Sequence, residues 1–290
     1  MSAPHAQRER WPAPAKLNLF LHITGRRADG YHTLQTAFQL IDLADSIEIE
    51  ATSDCEIRRL EGPDGVPAEA DLAVRAARAL QVATTVRRGA RLRIEKRIPV
   101  GAGLGGGSSD AATTLVALNE LWGTGLDLRQ LASIGADLGA DVPLFIHGRS
   151  AFAEGIGDLL MPLELPEKWF LVVYPGVAVA TAAVFQSPEL TRNSPLITIR
   201  DLFGAETHND CEPVVRARFP AVGEALDWLG QFAEARLTGT GSCVFASFDS
   251  ASAAGQVAAK VPQSWRSYVA RGLNHSPLHA QLARLRGESE

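Results

Sequence analysis

The stretch Pro99-Val-Gly-Ala-Gly-Leu-Gly-Gly-Gly-Ser-Ser-Asp-Ala-Ala112 places five glycines within the seven residues Gly101 to Gly107. Glycine enters positive-φ regions without a steric penalty, so such a segment can curl with its backbone N–H groups turned inward. A helix capped by Ser108 or Ser109 is expected to follow, with Ala111, Ala112, Leu115, Val116, Leu118 and Trp122 as its apolar positions. Unpaired amides feeding a helix N-terminus bind anions, because the free donors and the helix dipole both favour negative charge. The pattern reads as a cradle for a triphosphate. Two other glycine-rich loops fit less well. Gly101, Gly103 and Gly106 spell G-x-G-x-x-G, but the preceding Arg91-Leu-Arg-Ile-Glu-Lys-Arg-Ile98 alternates polar with apolar, unlike the buried strand of a dinucleotide fold. No Lys-Ser or Lys-Thr follows the last glycine, which excludes a Walker loop.

Two charged side chains could act on a phosphate held there. Of 28 basic residues only Lys16, Lys96, Lys168 and Lys260 are lysine, and Lys16 is followed by seven residues without another formal charge. In Ala13 to Ile23, Leu17, Leu19, Leu21 and Ile23 alternate onto one face of a strand, and Lys16, Asn18, Phe20 and His22 onto the other. That second face reads as the floor of a site, the alternative for Lys16 being an ordinary solvated strand residue. Asp141 stands just past a helix end and two residues before Pro143, in a strip otherwise apolar through Ile146. It could be a turn aspartate serving local amides, or a carboxylate held in one pose as a general base requires. Tyr31 and His32 follow the turn Asp29-Gly30 and, taken alone, read as a packed aromatic and a capping imidazole. A second small glycine turn, Thr238-Gly-Thr-Gly241, precedes an apolar strand.

The elements that must position these residues alternate between strands and helices. Strands are expected at 13–23, 33–50, 91–98, 169–175, 243–246 and 265–271, with 54–69 as loop or hairpin. Helices are expected at 71–82, after the glycine loop, at 128–138 behind the cap Asp127, at 199–203, 213–218, 222–232 and 251–261. Residues 151–157 and 161–166 read as a hinge into a second domain, giving a division into 1–165 and 166–290.

Composition narrows the class. The chain has 290 residues, 46% hydrophobic and 21% charged, with a net charge of −5. It has no apolar run near the ~18 residues of a membrane span, and its first ten residues lack the apolar core of a signal peptide. A cytoplasmic protein with no membrane partner is expected. Without a concentrated positive face, nucleic acid is not an expected partner. Cys55, Cys211 and Cys243 are widely spaced and odd in number, as in reduced thiols rather than a disulfide or metal framework.

Pro14-Ala-Lys-Leu-Asn-Leu19, Pro99 to Ala112 and Leu237-Thr-Gly-Thr-Gly-Ser-Cys-Val-Phe245, in that order, resemble the GHMP family of small-molecule kinases over nearly the whole chain. Gly30-Tyr-His-Thr-Leu-Gln-Thr36, Leu138-Gly-Ala-Asp-Val-Pro143, Asn209-Asp-Cys-Glu212 and Asn274-His-Ser-Pro-Leu-His279 resemble the branch acting on a cytidine-diphosphate-linked methylerythritol. The resemblance implies an α+β fold with a ribosomal-S5-like N-terminal domain and a ferredoxin-like C-terminal domain. It implies ATP with Mg2+, and transfer to the 2-hydroxyl of the cytidine-diphosphate-linked substrate in non-mevalonate isoprenoid synthesis. Lys16 and Asp141 would then be the catalytic pair. Leu72, Lys96, Pro99, Gly101, Gly103, Gly105, Gly106, Gly107, Ser108 and Ser109 would hold the nucleotide. Asn18, Tyr31, His32, Thr181, Phe185 and Gly239 would line the substrate side, with Phe185 stacking on the cytosine. One position departs from the family pattern: Asp71-Leu72 stands where relatives carry Asn-Leu, and an aspartate cannot donate as an amide does. Magnesium ligands are not legible; Glu154 could be one, or an ordinary surface carboxylate. A homoserine or mevalonate kinase, and a nucleotide sensor without activity, are the alternatives; Lys16 with Asp141 argues against the second, the aromatic groups against the first.

Overall fold

The computed structural model describes residues 8–200, 202 and 207–288. Two long strands, β1 (Arg8–Arg26) and β2 (His32–Thr52), pair antiparallel across the Asp29-Gly30 turn, where Gly30 takes φ +91°. A short strand, β3 (Ile57–Glu61), runs parallel to β4 (Gly89–Glu95), and α1 (Leu72–Thr84) connects them. The glycine loop then opens α2 (Gly106–Trp122), followed by α3 (Leu128–Ala136) and α4 (Val142–His147). A hairpin of β5 (Ala151–Glu154) and β6 (Leu159–Pro162) joins the far end of β2. The second half comprises β7 (Trp169–Tyr174), α5 (Thr181–Phe185), α6 (Glu212–Arg218), α7 (Pro220–Leu229), β8 (Arg236–Leu237), β9 (Val244–Phe248), α8 (Ala251–Ala258), β10 (Arg266–Leu273) and α9 (Pro277–Arg286).

The strands run in the order β3-β4-β2-β10-β7-β9-β8, with β1 and the β5–β6 hairpin attached to β2. The two halves meet at β10, which pairs along its length with β7 and, through Gly272 and Leu273, with Ile41 and Leu40 of β2. Three apolar clusters follow this plan. One packs α1, α2 and α9 onto β1, β2 and β4; a second fills the C-terminal half; a third, containing Leu17, Ile41, Leu104, Phe170 and Phe245, joins the two beneath the glycine loop.

Several sequence expectations change. The segment expected as a hinge is the β5–β6 hairpin: Ala151, Phe152 and Ala153 are buried, and Gly155 and Gly157 supply the positive φ of its turn. The residues after Asp141 form α4, which tolerates Pro143 because the first helical turn has no use for its missing N–H. The glycine-loop helix starts earlier than a serine cap implies, with Gly105 at φ +73° as the N-cap. Unforeseen α9 is capped by Ser276 and returns Leu278 and Leu282 to the first-half core, across the expected division at residue 165. Of the helix expected at 199–203, residues 201 and 203 lie outside the described residues, and 199, 200 and 202 form turn. Among the described residues no helix is long and apolar enough to cross a membrane.

Candidate active site

A cleft of about 640 Å³ runs along the glycine loop and lies between the two halves of the chain. Helix geometry leaves the amides of Gly106, Gly107 and Ser108 without an acceptor inside α2; the Ser109 amide is the first to be satisfied, by the Gly105 carbonyl at 2.9 Å. These free donors point from the positive end of a 17-residue helix, as anion binding requires. At Gly103 and Gly105 the loop has no room for a side chain. A Cβ on Gly103 would lie 2.2 Å from the Thr238 carbonyl, and one on Gly105 would lie 2.9 Å from the Phe145 ring and 3.2 Å from Lys16 Cε. The second glycine turn is therefore the brace of the first: Thr238 Oγ1 donates to the Gly103 carbonyl at 3.2 Å, and the Cys243 amide to the Ala102 carbonyl at 3.0 Å. Asn209 in turn holds that brace, its Nδ2 donating to the carbonyls of Leu237 and Gly239.

Lys16 sits under the loop with 5% of its side chain exposed, its ammonium donating two hydrogen bonds and pairing with one carboxylate. Asn18 Oδ1 lies at 2.5 Å, the Gly103 carbonyl at 3.1 Å and Asp141 Oδ2 at 3.4 Å, with the Phe38 ring on another side at 5.4 Å. Asn18 is oriented by its other end, where Nδ2 donates to Thr36 Oγ1 at 2.9 Å. Asp141 is the N-cap residue of α4, yet its side chain caps nothing, so the carboxylate stays directed at Lys16 while 31% exposed to the cleft. The pair expected from sequence is thus brought together from β1 and the start of α4.

The strand face holding Lys16 does not continue as period two predicts. A register shift between Asn18 and Leu21 inserts one residue, so Leu21 lines the cleft and Phe20 and His22 are buried away from it. His22 instead packs beside His208, ring centroids 4.5 Å apart and tilted by 41°, and His208 bonds Asp210 at 2.9 Å.

At the other end of the cleft, Pro63, Val66, Ala70 and Leu72 form an apolar slot beside Pro99 and Gly101. Asp71, the departure from the family pattern, is committed elsewhere: Oδ1 accepts from the Ala73 amide as the cap of α1, and Oδ2 pairs with Arg59 at 2.7 Å. Lys96 reaches the cleft wall but is held between two buried carboxylates, Asp45 and Asp110, the latter at 2.6 Å. Burial pulls the lysine pKa down, but the two carboxylates outweigh it and hold it raised. Burial pushes Asp110 up, to about 7, against the pull of Lys96. Ser109 lies wholly inside, its hydroxyl without a partner, so Ser108 and not Ser109 faces the cleft.

On the substrate side, Asn18, Thr181, Phe185 and Gly239 all line the cleft. Tyr31 does not: it is 62% exposed at the tip of the β1–β2 turn. His32 stands behind Phe185, their rings 5.3 Å apart and 29° from parallel, outside the cleft wall. Sequence reasoning missed Thr36, Phe38, Thr238 and Thr240. Thr238 and Thr240 carried a signal, the second glycine turn.

Residues 71–149 match the family described as GHMP kinases N terminal domain, and residues 189–267 match GHMP kinases C terminal. A 4-diphosphocytidyl-2-C-methyl-D-erythritol kinase of Nitrosococcus oceani is 58% identical over 268 residues, covering 92% of this chain and 96% of that one. The enzyme of the same name from Alkalilimnicola ehrlichii is 55% identical, covering 97% and 95%. A crystal structure of 4-(cytidine 5'-diphospho)-2C-methyl-D-erythritol kinase superposes with a TM-score of 0.80 at 35% identity, covering 91% of this chain and 99% of that one. Methanococcus jannaschii mevalonate kinase shares the fold at a TM-score of 0.68 and 17% identity, covering 93% and 100%.

Proposed function

The chain belongs to the GHMP kinase family, and from that premise we propose that it transfers the terminal phosphoryl group of ATP to the 2-hydroxyl of 4-(cytidine 5'-diphospho)-2-C-methyl-D-erythritol. This is a step of non-mevalonate isoprenoid synthesis, carried out in the cytoplasm on a small-molecule substrate, without nucleic acid or membrane as partner. The observation that carries the reading is the Lys16–Asp141 contact at 3.4 Å, set under the free amides of the glycine loop and open to the cleft.

Phosphoryl transfer demands positioning, charge neutralisation and a group to take the proton of the attacking hydroxyl. The amides of Gly106, Gly107 and Ser108 hold the triphosphate, and the apolar slot at Leu72 receives the adenine. The substrate hydroxyl lies against Asp141, whose carboxylate accepts its proton as the new O–P bond forms and the bond from the γ-phosphorus to the bridging oxygen breaks, releasing ADP. Lys16 neutralises the charge spread over the phosphoryl oxygens in the transition state, where a fixed, dry cation acts most strongly. Lys96 acts through its carboxylates, fixing the start of α2 from beneath. Among the described residues no three His, Cys, Asp or Glu side chains form a metal cage. That fits a magnesium ion arriving on the triphosphate with most of its oxygens from phosphate and water. Ser108, on the cleft wall, is the residue that would help complete its shell, and the ion would help offset phosphate charge.

The test is release of ADP with the cytidine-diphosphate sugar, mevalonate and homoserine offered separately. Turnover confined to the first is expected. Preference for either of the others would move the chain to another branch, and ATP binding without turnover of any would make it a sensor.

A further inference from the structure

Asp71 stands among the apolar residues of the purine slot, Pro63, Val66, Ala70 and Leu72, with 6% of its side chain exposed. A carboxylate buried there is costly unless donors meet its oxygens. Two do. The Ala73 amide, one of the free amides at the start of α1, donates to Oδ1 at 2.9 Å, and Arg59 Nη1 donates to Oδ2 at 2.7 Å. Arg59 comes from β3, the outermost strand. Its neighbour Arg58 has 58% of its side chain exposed, as an edge arginine ordinarily would, but Arg59 has 13%. The Arg59 side chain folds back over Gly62, where a Cβ would lie 2.7 Å from its Cδ, and Nη2 donates to the Val66 carbonyl at 2.6 Å. One guanidinium thus ties the 63–70 segment to the start of α1 from behind the slot, without lining the cleft itself.

The same contacts account for the departure from the family pattern at Asp71. A carboxylate has two accepting oxygens and an asparagine amide has one. With Arg59 in place two donors converge, and aspartate meets both. Without Arg59 only the α1 amide needs an acceptor, so asparagine suffices, whereas aspartate would keep a buried, unpaired charge beside the nucleotide. We propose that Arg59 is a positioning residue for the nucleotide, holding the purine slot through Asp71 and Val66, and that Arg59 and the Asp71 charge form a unit whose members can be lost together but not singly. The proposal rests on the placement of adenine at Leu72 given above.

The test compares Arg59→Leu, Asp71→Asn and the double variant by steady-state kinetics, by calorimetry of ADP binding and by melting temperature. Arg59→Leu should raise the KM for ATP and the Kd for ADP about 10- to 100-fold, because truncating one partner of a buried pair strands the other charge. Asp71→Asn should raise them about 3- to 10-fold, its amide accepting from one donor only. The double variant should return to within about threefold of the unaltered enzyme, a rescue that only coupled residues show. In all three the KM for the cytidine-diphosphate sugar and the turnover at saturating ATP should change less than about twofold. Losses that add in the double variant would overturn the proposal, as would equal changes in both Michaelis constants. A lowered melting temperature with unchanged nucleotide affinity would also overturn it and leave the pair as scaffold. Should Arg59→Leu fail to fold, the double variant decides: folding with near-normal ADP affinity is expected, and failure of both would refute the unit. Calorimetry needs no second substrate. Binding of ADP without turnover of the cytidine-diphosphate sugar would therefore end the proposed function and still decide the role of Arg59, whereas no binding of ADP by the unaltered protein would end both.

Discussion

Lys16 shows how a buried charge is made useful. Its ammonium donates to an amide and a loop carbonyl and pairs with a carboxylate, and the amide is itself fixed by Thr36. Asn18→Leu removes one charge-assisted bond worth about 1.5–3 kcal/mol and frees the ammonium to turn. Turnover should fall about 10- to 100-fold with the KM for ATP little changed; steady-state kinetics showing normal turnover would make Asn18 a spectator. Asp110 yields a pH prediction. Its folded pKa is raised from 3.8 to about 7, chiefly by burial, so the folded state holds a proton that the unfolded chain releases. The stability this contributes is present below about pH 4 and lost as pH rises toward 7. The melting temperature of the unaltered protein minus that of Asp110→Asn should therefore decline from pH 4 to pH 8. A difference that grows with pH would show Asp110 to be ionised throughout.

At the scale of elements, the glycine loop works as half of a pair, its partner being the Thr238 to Gly241 turn. Gly103 has φ +80° and no room beyond its Cα, so Gly103→Ala combines left-handed strain of about 1–2 kcal/mol with overpacking of about 1–3 kcal/mol. A marked loss of melting temperature and a raised KM for ATP are expected. Gly107→Ala should be nearly silent in stability, since its Cβ would meet only Leu72 Cδ1 at 3.5 Å in a helical backbone. Equal effects of the two would mean that the brace is unimportant. The loop, α1, α2, α3 and the alternating strands were legible because composition and period are local. The break in β1 was not: a one-residue bulge leaves no mark on hydrophobic alternation, yet it decides that Leu21, not His22, faces the cleft. Likewise Ala151 to Glu154 is too short for a period, and its strand exists because β2 offers an edge.

For the whole molecule, the candidate site exists because β10 ties the two halves into one sheet and the second glycine turn, from the C-terminal half, supports the loop from the N-terminal half. The chain's last helix secures the arrangement from behind, and Leu278→Ala should cost about 2–5 kcal/mol of stability without changing either Michaelis constant. Lys16 and Asp141 could be singled out from sequence by charge and by the Gly-Ala-Asp-Val-Pro turn, but their contact spans 125 residues and is a property of the packed molecule. So is the commitment of Lys96 to Asp45 and Asp110, which nothing in its local sequence announces. The most direct test is Asp141→Asn, which keeps size and shape and removes the base. Its turnover of the cytidine-diphosphate sugar, followed by ADP release, should fall about 10²–10⁴-fold while calorimetry finds substrate binding retained. Turnover near that of the unaltered enzyme would contradict the account and remove Asp141 from the chemistry.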